Sequence, residues 1–266
     1  MTNADQINLA AGGDGPYIPG PSSFELPAVF EIAGLGITKP MLLVALSVPI
    51  IVFLFWGLSR RAAVVPGRAQ FAGEYVYGFV RGVARDSIGS DHFMKFVPYL
   101  FALFTFILVS NYYGLIPGVQ FPSFSRIGFA VSLAAVAWIL YNGVGIAKHG
   151  LLGYLKLQTV PSGVKGPVLG LLIPLEFVSN ILVRPLTLSL RLFATMFAGH
   201  LLLILFSMGG AYLVFDLGGL YIAAGLASWF MFILIGFLEV LIMFLQAYVF
   251  TLLTSLYIGG ALADEH

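Results

Sequence analysis

Arg184-Pro-Leu-Thr-Leu-Ser-Leu-Arg191-Leu-Phe-Ala-Thr195-Met-Phe-Ala-Gly-His200-Leu-Leu-Leu-Ile-Leu-Phe-Ser-Met208 is a long apolar run with a guanidinium near its middle. Leu188, Leu190, Leu192 and Phe193 flank Arg191, and mostly apolar residues continue to Phe206. The run belongs to a larger apolar stretch, Gly166 to Met208, of about 43 residues, and a second, Leu217 to Tyr257, has about 41. At about 1.5 Å per residue each is too long for one upright membrane helix, which needs about 20 residues. Each is therefore a helical hairpin or one long helix lying steeply in the membrane. A hairpin needs a turn near its middle, yet Leu186–Phe206 offers only the isolated Gly199, and Trp229–Ser255 only Gly236. The expectation is two long, strongly tilted or bent helices, with Pro174 and Pro185 as kink points in the first.

The rest of the 266 residues agrees with a membrane location. The chain is 59% hydrophobic and 9% charged, against about 25% charged for a soluble domain. Too little polar surface is present to cover a soluble globule. A net charge of +1 lacks the basic excess of a nucleic-acid binder. With no cysteine, disulfides and thiolate metal sites are excluded. Met1 to Gly20 is polar and Gly/Pro-rich, without the basic and apolar regions of a secretory signal. It reads as a flexible tail, with a short interfacial helix expected over Glu25–Leu35 and the first apolar run acting as an uncleaved signal-anchor.

Upright spans are expected at Met41–Leu58, Phe93–Tyr113 and Ile127–Ile146. Arg68–Ile88 differs: Phe71, Tyr75, Phe79 and Val83 recur every four residues among Arg68, Glu74, Arg81, Arg85 and Asp86, the pattern of an amphipathic helix on the membrane surface. Lys148–Lys165 reads as a basic, Gly/Pro-punctuated loop. The fold class is thus an all-α polytopic membrane protein, with a tail over residues 1–39 and a membrane domain over 40–266. Arg60, Arg61, Arg68, Arg81, Arg85 and Lys95 cluster between the first two spans, and Lys148, Lys156 and Lys165 after the third. The positive-inside rule puts both clusters in the cytoplasm, the N-terminus outside and the C-terminus inside. No internal repeat is found, which disfavours an inverted-repeat transporter.

Among the Lys and Arg residues, only Arg184 and Arg191 fall well inside the long apolar stretches. Arg184, beside Pro185 and near Asn180, is placed to reach an interface; Arg191 is not. An arginine at mid-membrane costs about 2.5–3.5 kcal/mol on insertion scales, so it marks a functional site by default. The competing reading is an internal salt bridge or a snorkelling side chain. Glu176, Glu239, Asp216 and His200 lie in or beside the same stretches. Asp216 sits in a Gly-rich turn and reads as a solvated residue. His200 follows Arg191 by nine residues, which at about 100° per residue turns it to the opposite side of the helix. Glu239 and Gln246, seven apart, share a face. Taken singly these are satisfied buried polar groups; with Arg191 they favour an ion path. Four scattered histidines give no metal-ligand spacing, and no Gly-rich phosphate loop with a following Lys occurs. Gly166-x-x-x-Gly170 matches a helix-packing motif, but with 31 glycines a chance match is expected.

The Arg184–His200 stretch closely resembles the signature of subunit a of F-type ATP synthases. Phe244-Leu-Gln-Ala-Tyr-Val-Phe-Thr-Leu-Leu-Thr254 resembles part of that family's last helix, and Ser110-Asn-Tyr-Tyr-Gly-Leu-Ile-Pro117 its motif at the end of an earlier span. The resemblance implies two long helices lying nearly in the membrane plane against a rotating ring of c subunits, with peripheral-stalk b subunits and the rest of the synthase as further partners. It implies a bacterial plasma-membrane location, no cofactor, and a non-catalytic subunit; no ATP-binding motif is present, so nucleotide chemistry falls to partners. The family's essential arginine falls on Arg191, its outer half-channel groups on Asn111, His200, Glu239 and Gln246, and its inner half-channel acid on Glu176. The spacing from Glu176 to Pro185 is one residue longer than in many members. Ala194-Thr195 stands where many have Gly-Asn, so Thr195, one turn from Arg191 and counted with it among the proton-translocating residues the resemblance implies, keeps a hydroxyl and loses an amide. Gly114 stands where some carry an acid. Two other classes remain: a stand-alone transporter whose Arg191 binds an anionic substrate, and a structural scaffold in which Arg191→Leu is tolerated.

Overall fold

The computed structural model describes residues 28–32, 35–59, 63, 66–89, 92–116, 122–160 and 168–263. The chain enters through two short antiparallel strands, β1 (Ala28–Ile32) and β2 (Leu35–Thr38), paired as Phe30 with Ile37, Glu31 with Gly36 and Ile32 with Leu35. This corrects the short helix expected over Glu25–Leu35, of which residues 25–27 and 33–34 lie outside the described ones. Val29, Ile32, Ile37 and Thr38 are β-branched, and Gly34 and Gly36 weaken any helix between them. The tail before Ala28 also lies outside the described residues.

Helix α1 (Lys39–Ser59) follows directly. Leu46, Val48, Val52, Phe53 and Trp56 are exposed on it, an apolar surface suited to lipid. Its buried Ser47 hydroxyl lies 3.1 Å from that of Ser110 on α3 (Val97–Tyr112), which opens after a 3₁₀ turn at Phe93–Lys95. Helix α2 (Arg68–Ile88) is amphipathic as the spacing predicts. Its buried face includes Val80 and Ala84, and Phe79 sits among Phe104, Phe244 and Tyr248 at 5.6–6.1 Å between ring centroids. The same four-residue spacing also includes Phe71 and Tyr75, yet both are exposed.

Helix α4 (Ile127–Thr159) is continuous only as far as His149. Gly150 takes φ 72°, ψ 166°, a region essentially reserved for glycine, and the chain reverses there. Tyr154 then donates its hydroxyl to Asn142 Oδ1 at 3.0 Å, although twelve residues of straight helix would separate the two by about 18 Å. A Cβ at Gly145 would run into the Tyr154 ring, so the glycine lets the returning segment pack flat. Residues 151–159, expected in a loop, are therefore a helical turn-back; Leu151, Leu152, Leu155 and Leu157 supply helix-forming apolar residues on either side of Tyr154.

The two long apolar stretches are long helices. The first runs from α5 (Leu169–Phe177) through a π-helical segment, Val178–Val183, into α6 (Arg184–Tyr212), and ends in a second π segment, Leu213–Leu217. Gly218 and Gly219, with φ 61° and 59°, make the turn into α7 (Tyr221–Leu262), 42 residues long. At about 1.5 Å per residue α7 measures about 63 Å, twice the roughly 30 Å hydrocarbon core. Among the described residues four helical stretches are long and apolar enough to cross a membrane: 39–58, 127–159, 170–217 and 221–262; α3 is a shorter apolar helix.

Helix α7 organises the core. Met243, Ala247, Phe250 and Ile258 are buried along one stripe of its C-terminal half, against Leu100, Phe104, Ala134, Tyr141, Leu192 and Met196 of the helices around it. Two groups of contacts fix the ends. The Gly259 Cα lies against the backbone of Ser87 and Ile88, and Lys148 Nζ donates to the Leu262 carbonyl at 2.5 Å, so the C-termini of α2 and α7 meet the basic end of α4. At the other end Arg126 Nη1 donates to Thr38 Oγ1 at 3.4 Å.

Candidate functional site: a buried polar group behind an exposed arginine

Helix α6 has two faces with different chemistry. Leu188, Leu192, Met196 and His200, at steps of four, are buried. Arg191, Ala194 and Ala198 lie on the exposed side. The nine-residue offset thus turns Arg191 away from its own chain and His200 into it. The exposed surface around the α6–α7 hairpin is otherwise apolar, with Leu190, Leu202 and Leu205 on α6 and Phe230, Leu234, Phe237 and Leu241 on α7. A guanidinium within such a surface is costly to place in lipid, and among the described residues no carboxylate is bonded to it. Thr195 is half-buried, and its hydroxyl donates to the Arg191 carbonyl at 2.8 Å and to that of Leu192 at 3.2 Å. Its hydroxyl proton is thus directed into its own helix rather than outward.

Behind this face α3, α6 and α7 enclose a polar group. Glu239 is 2% exposed, and neither carboxylate oxygen has a hydrogen-bond partner. The carboxylate lies flat on α6 at Gly199, the residue before His200: a Cβ there would stand 3.1 Å from Glu239 Oε1. Met243 and Gln246, four and seven residues on, continue the same face of α7. Asn111 reaches this face from α3, donating Nδ2 to the Met243 carbonyl at 3.4 Å. Asn111 Oδ1, Gln246 Nε2 and the hydroxyl of Tyr113 are buried without a partner as well. Nearly all buried polar atoms in proteins are hydrogen-bonded, to protein or to ordered water. The Glu239 carboxylate, Asn111 Oδ1 and Gln246 Nε2 thus keep hydrogen-bonding capacity that the chain itself does not use.

Glu176 stands apart from this group, half-buried near the end of α5. Asn180 Nδ2 donates to Glu176 Oε2 at 3.0 Å and to the Gln158 carbonyl at 2.6 Å. Arg184 Nη1 donates to Gln158 Oε1 at 3.4 Å, and its guanidinium lies 5.1 Å from the centre of the Tyr257 ring. The π segment lies between Glu176 and Pro185. A π turn takes up one extra residue within an α-helix, so it sets the register between Glu176 and Pro185. Of the expected site residues, the structure brings Asn111 to the face of α7 that carries Glu239 and Gln246, buries His200 next to Gly199 where Glu239 lies, sets Arg191 and Thr195 nearer the outward side of the same helix, and places Glu176 in a second cluster. Asp216 is exposed near the α6–α7 turn. No group of three or more metal-ligating side chains occurs among the described residues. Tyr113, Asn142, Tyr154 and Gln158 were not singled out in the sequence. Tyr113 has a signal, standing two residues after Asn111; the other three meet only because Gly150 reverses the chain.

The family described as "ATP synthase A chain" matches residues 41–259, from the first turn of α1 almost to the end of α7. The chain belongs to this family. Among its relatives, the ATP synthase subunit a of Nocardioides sp. is 55% identical, covering 100% of both chains. That of Pseudarthrobacter chlorophenolicus is 50% identical over 98% of this chain and 99% of the relative. That of Rhodococcus erythropolis is 38% identical over 94% and 92%. The ATP synthase A chain match includes Arg191 and both polar clusters, so they lie within the family's common extent and not in an appendage.

Proposed function

We propose that this protein is the stator subunit a of an F-type ATP synthase, a non-catalytic part of its membrane sector. In this reading it offers two offset proton half-channels to a rotating ring of c subunits, with Arg191 as the barrier between them. The observation that carries the reading is the opposition on α6: Arg191 faces outward from an apolar surface, while His200 is buried on the other side, next to Gly199, against which Glu239 lies. Protons enter from the outside past Asn111, His200, Glu239 and Gln246 and neutralise a carboxylate on a c subunit. That carboxylate, now neutral, turns into lipid. Near the end of a rotation it meets the inner half-channel and loses its proton by way of Glu176.

The guanidinium of Arg191 is effectively never deprotonated, so it cannot relay a proton, and its charge repels one. It attracts the ionised ring carboxylate and so separates the two water paths. Each charge crossing 100 mV yields about 2.3 kcal/mol, so several must be coupled to one ATP. Orientation follows from charge: the end bearing Arg68, Arg81, Arg85 and Lys148 faces the cytoplasm, with the C-terminus of α7, and the strand hairpin faces outside. Peripheral-stalk b subunits complete the stator in the bacterial plasma membrane.

The test is Arg191→Ala in the assembled complex, with ATP synthesis driven by an imposed proton gradient. Loss of coupled synthesis with the complex assembled is expected; retained coupled synthesis overturns the proposal.

A further inference from the structure

We propose that the turned-back helix at residues 151–159 walls the inner proton path, and that Gln158 is its positioning residue, holding Asn180 and Arg184 so that the Glu176 carboxylate stays free to exchange protons. This rests on the assignment of Glu176 to the inner half-channel.

Glu176, Asn180 and Arg184 follow one another at steps of four. In a regular α-helix such steps drift by about 40° each around the axis. The wider π turn across Val178–Val183 takes up that drift and keeps the three on one side. Gln158, 8% exposed, meets this side from the turned-back helix. Its carbonyl takes the Asn180 amide at 2.6 Å, the same amide that donates to Glu176 at 3.0 Å. Its side-chain oxygen takes Arg184 at 3.4 Å, and its Nε2 donates to Tyr154 at 3.0 Å. Tyr154 donates to Asn142, and Asn142 donates to the Trp138 carbonyl at 2.7 Å. The donors all point one way, from the charged Arg184 into α4, an order in which each bond strengthens the next. Trp138 closes the circuit by donating Nε1 to the Ile181 carbonyl at 2.9 Å, within the π segment itself.

This network decides where the Arg184 charge rests. Arginine side chains on a helix lean towards its N-terminus, which for Arg184 is the direction of Asn180 and Glu176. Gln158 and the Tyr257 ring draw the guanidinium aside instead. A freed guanidinium would pair with Glu176, and a carboxylate locked in an ion pair is a poor proton carrier. Gly145 and Gly150 serve the same end, since the first admits the Tyr154 ring and the second makes the reversal.

The experiment measures ATP-driven proton pumping in everted membrane vesicles, per assembled complex, in a set of variants. Gln158→Leu is expected to lower pumping roughly threefold or more, and Gln158→Glu, which still accepts from Arg184, to keep more than about half. Adding Arg184→Gln to Gln158→Leu removes the charge that would trap Glu176, and is expected to restore pumping towards the wild-type level. A purely structural role for Gln158 predicts no such rescue. Unchanged pumping in Gln158→Leu, or a double variant no better than the single, overturns the proposal. Where Gln158→Leu fails to assemble, Tyr154→Phe releases the same amide, and its loss of pumping must likewise be relieved by Arg184→Gln; no loss, or no relief, overturns the proposal. Glu176→Gln separates the two levels. If it pumps normally, the inner half-channel assignment itself falls; if it is impaired while Gln158→Leu is normal, only the role of Gln158 falls.

Discussion

Replacing Glu239 by leucine separates a residue kept for stability from one kept for transport. The carboxylate is 2% exposed, lies against Gly199, and has no hydrogen-bond partner on either oxygen. A buried polar atom left unsatisfied costs about 1–3 kcal/mol, and a well-packed apolar side chain of similar size often does better than a buried charge. Glu239→Leu is therefore expected to leave the complex as stable as before or more stable by about 1–3 kcal/mol. Proton-driven ATP synthesis, in contrast, is expected to fall on the order of tenfold or more, because a methyl group carries no proton. Glu239→Gln, which keeps the shape, should lose synthesis to a similar degree. The assay pairs the dissociation temperature of the detergent-solubilised complex with synthesis driven by an imposed gradient in vesicles. A destabilised Glu239→Leu complex that still synthesises ATP at the wild-type rate per assembled unit would refute the reasoning, since the carboxylate would then be structural.

Gly150→Ala forces a Cβ into the φ 72°, ψ 166° region and is expected to cost about 1–3 kcal/mol, seen as faster proteolysis of the segment after His149 and reduced accumulation of the protein. Thr195→Val removes a hydroxyl bonded only to carbonyls of its own helix, so synthesis should stay within about twofold of wild type, in contrast to Glu239→Gln. Ser47→Ala deletes the α1–α3 contact to Ser110 and should lower the dissociation temperature by the equivalent of about 0.5–1.5 kcal/mol, with proton flux per complex unchanged.

The sequence showed the long helices because length and the absence of turn residues are local properties: Leu186–Phe206 has no place to bend except Gly199, and α6 is indeed unbroken there. The facing of Arg191 and His200 was legible for the same reason, since helical periodicity sets it from nine residues of spacing. What escaped depends on contacts between distant segments. The hairpin at Ala28–Thr38 won over the expected helix through β-branched residues pairing across two intervening positions. The turned-back helix hid because one glycine in a basic, Gly-rich stretch looks like any loop glycine. Only its reversal brings Tyr154 onto Asn142 and Gln158 onto Arg184. The π segment was not legible, and its place emerges once Trp138 is seen bonded to Ile181. For the buried polar group, the residue types and positions were readable, but not that Glu239 lies on Gly199 or that Asn111 reaches Met243.

The central claim is that Arg191 stands between two proton paths and faces a rotor carboxylate. An image of the assembled membrane complex at side-chain resolution tests it most directly. The account predicts the Arg191 guanidinium directed at the ring carboxylate from α6, with His200 and Glu239 behind it on one path and Glu176 on the other. An Arg191 directed into lipid, or paired within its own chain while the ring meets another face, would contradict it.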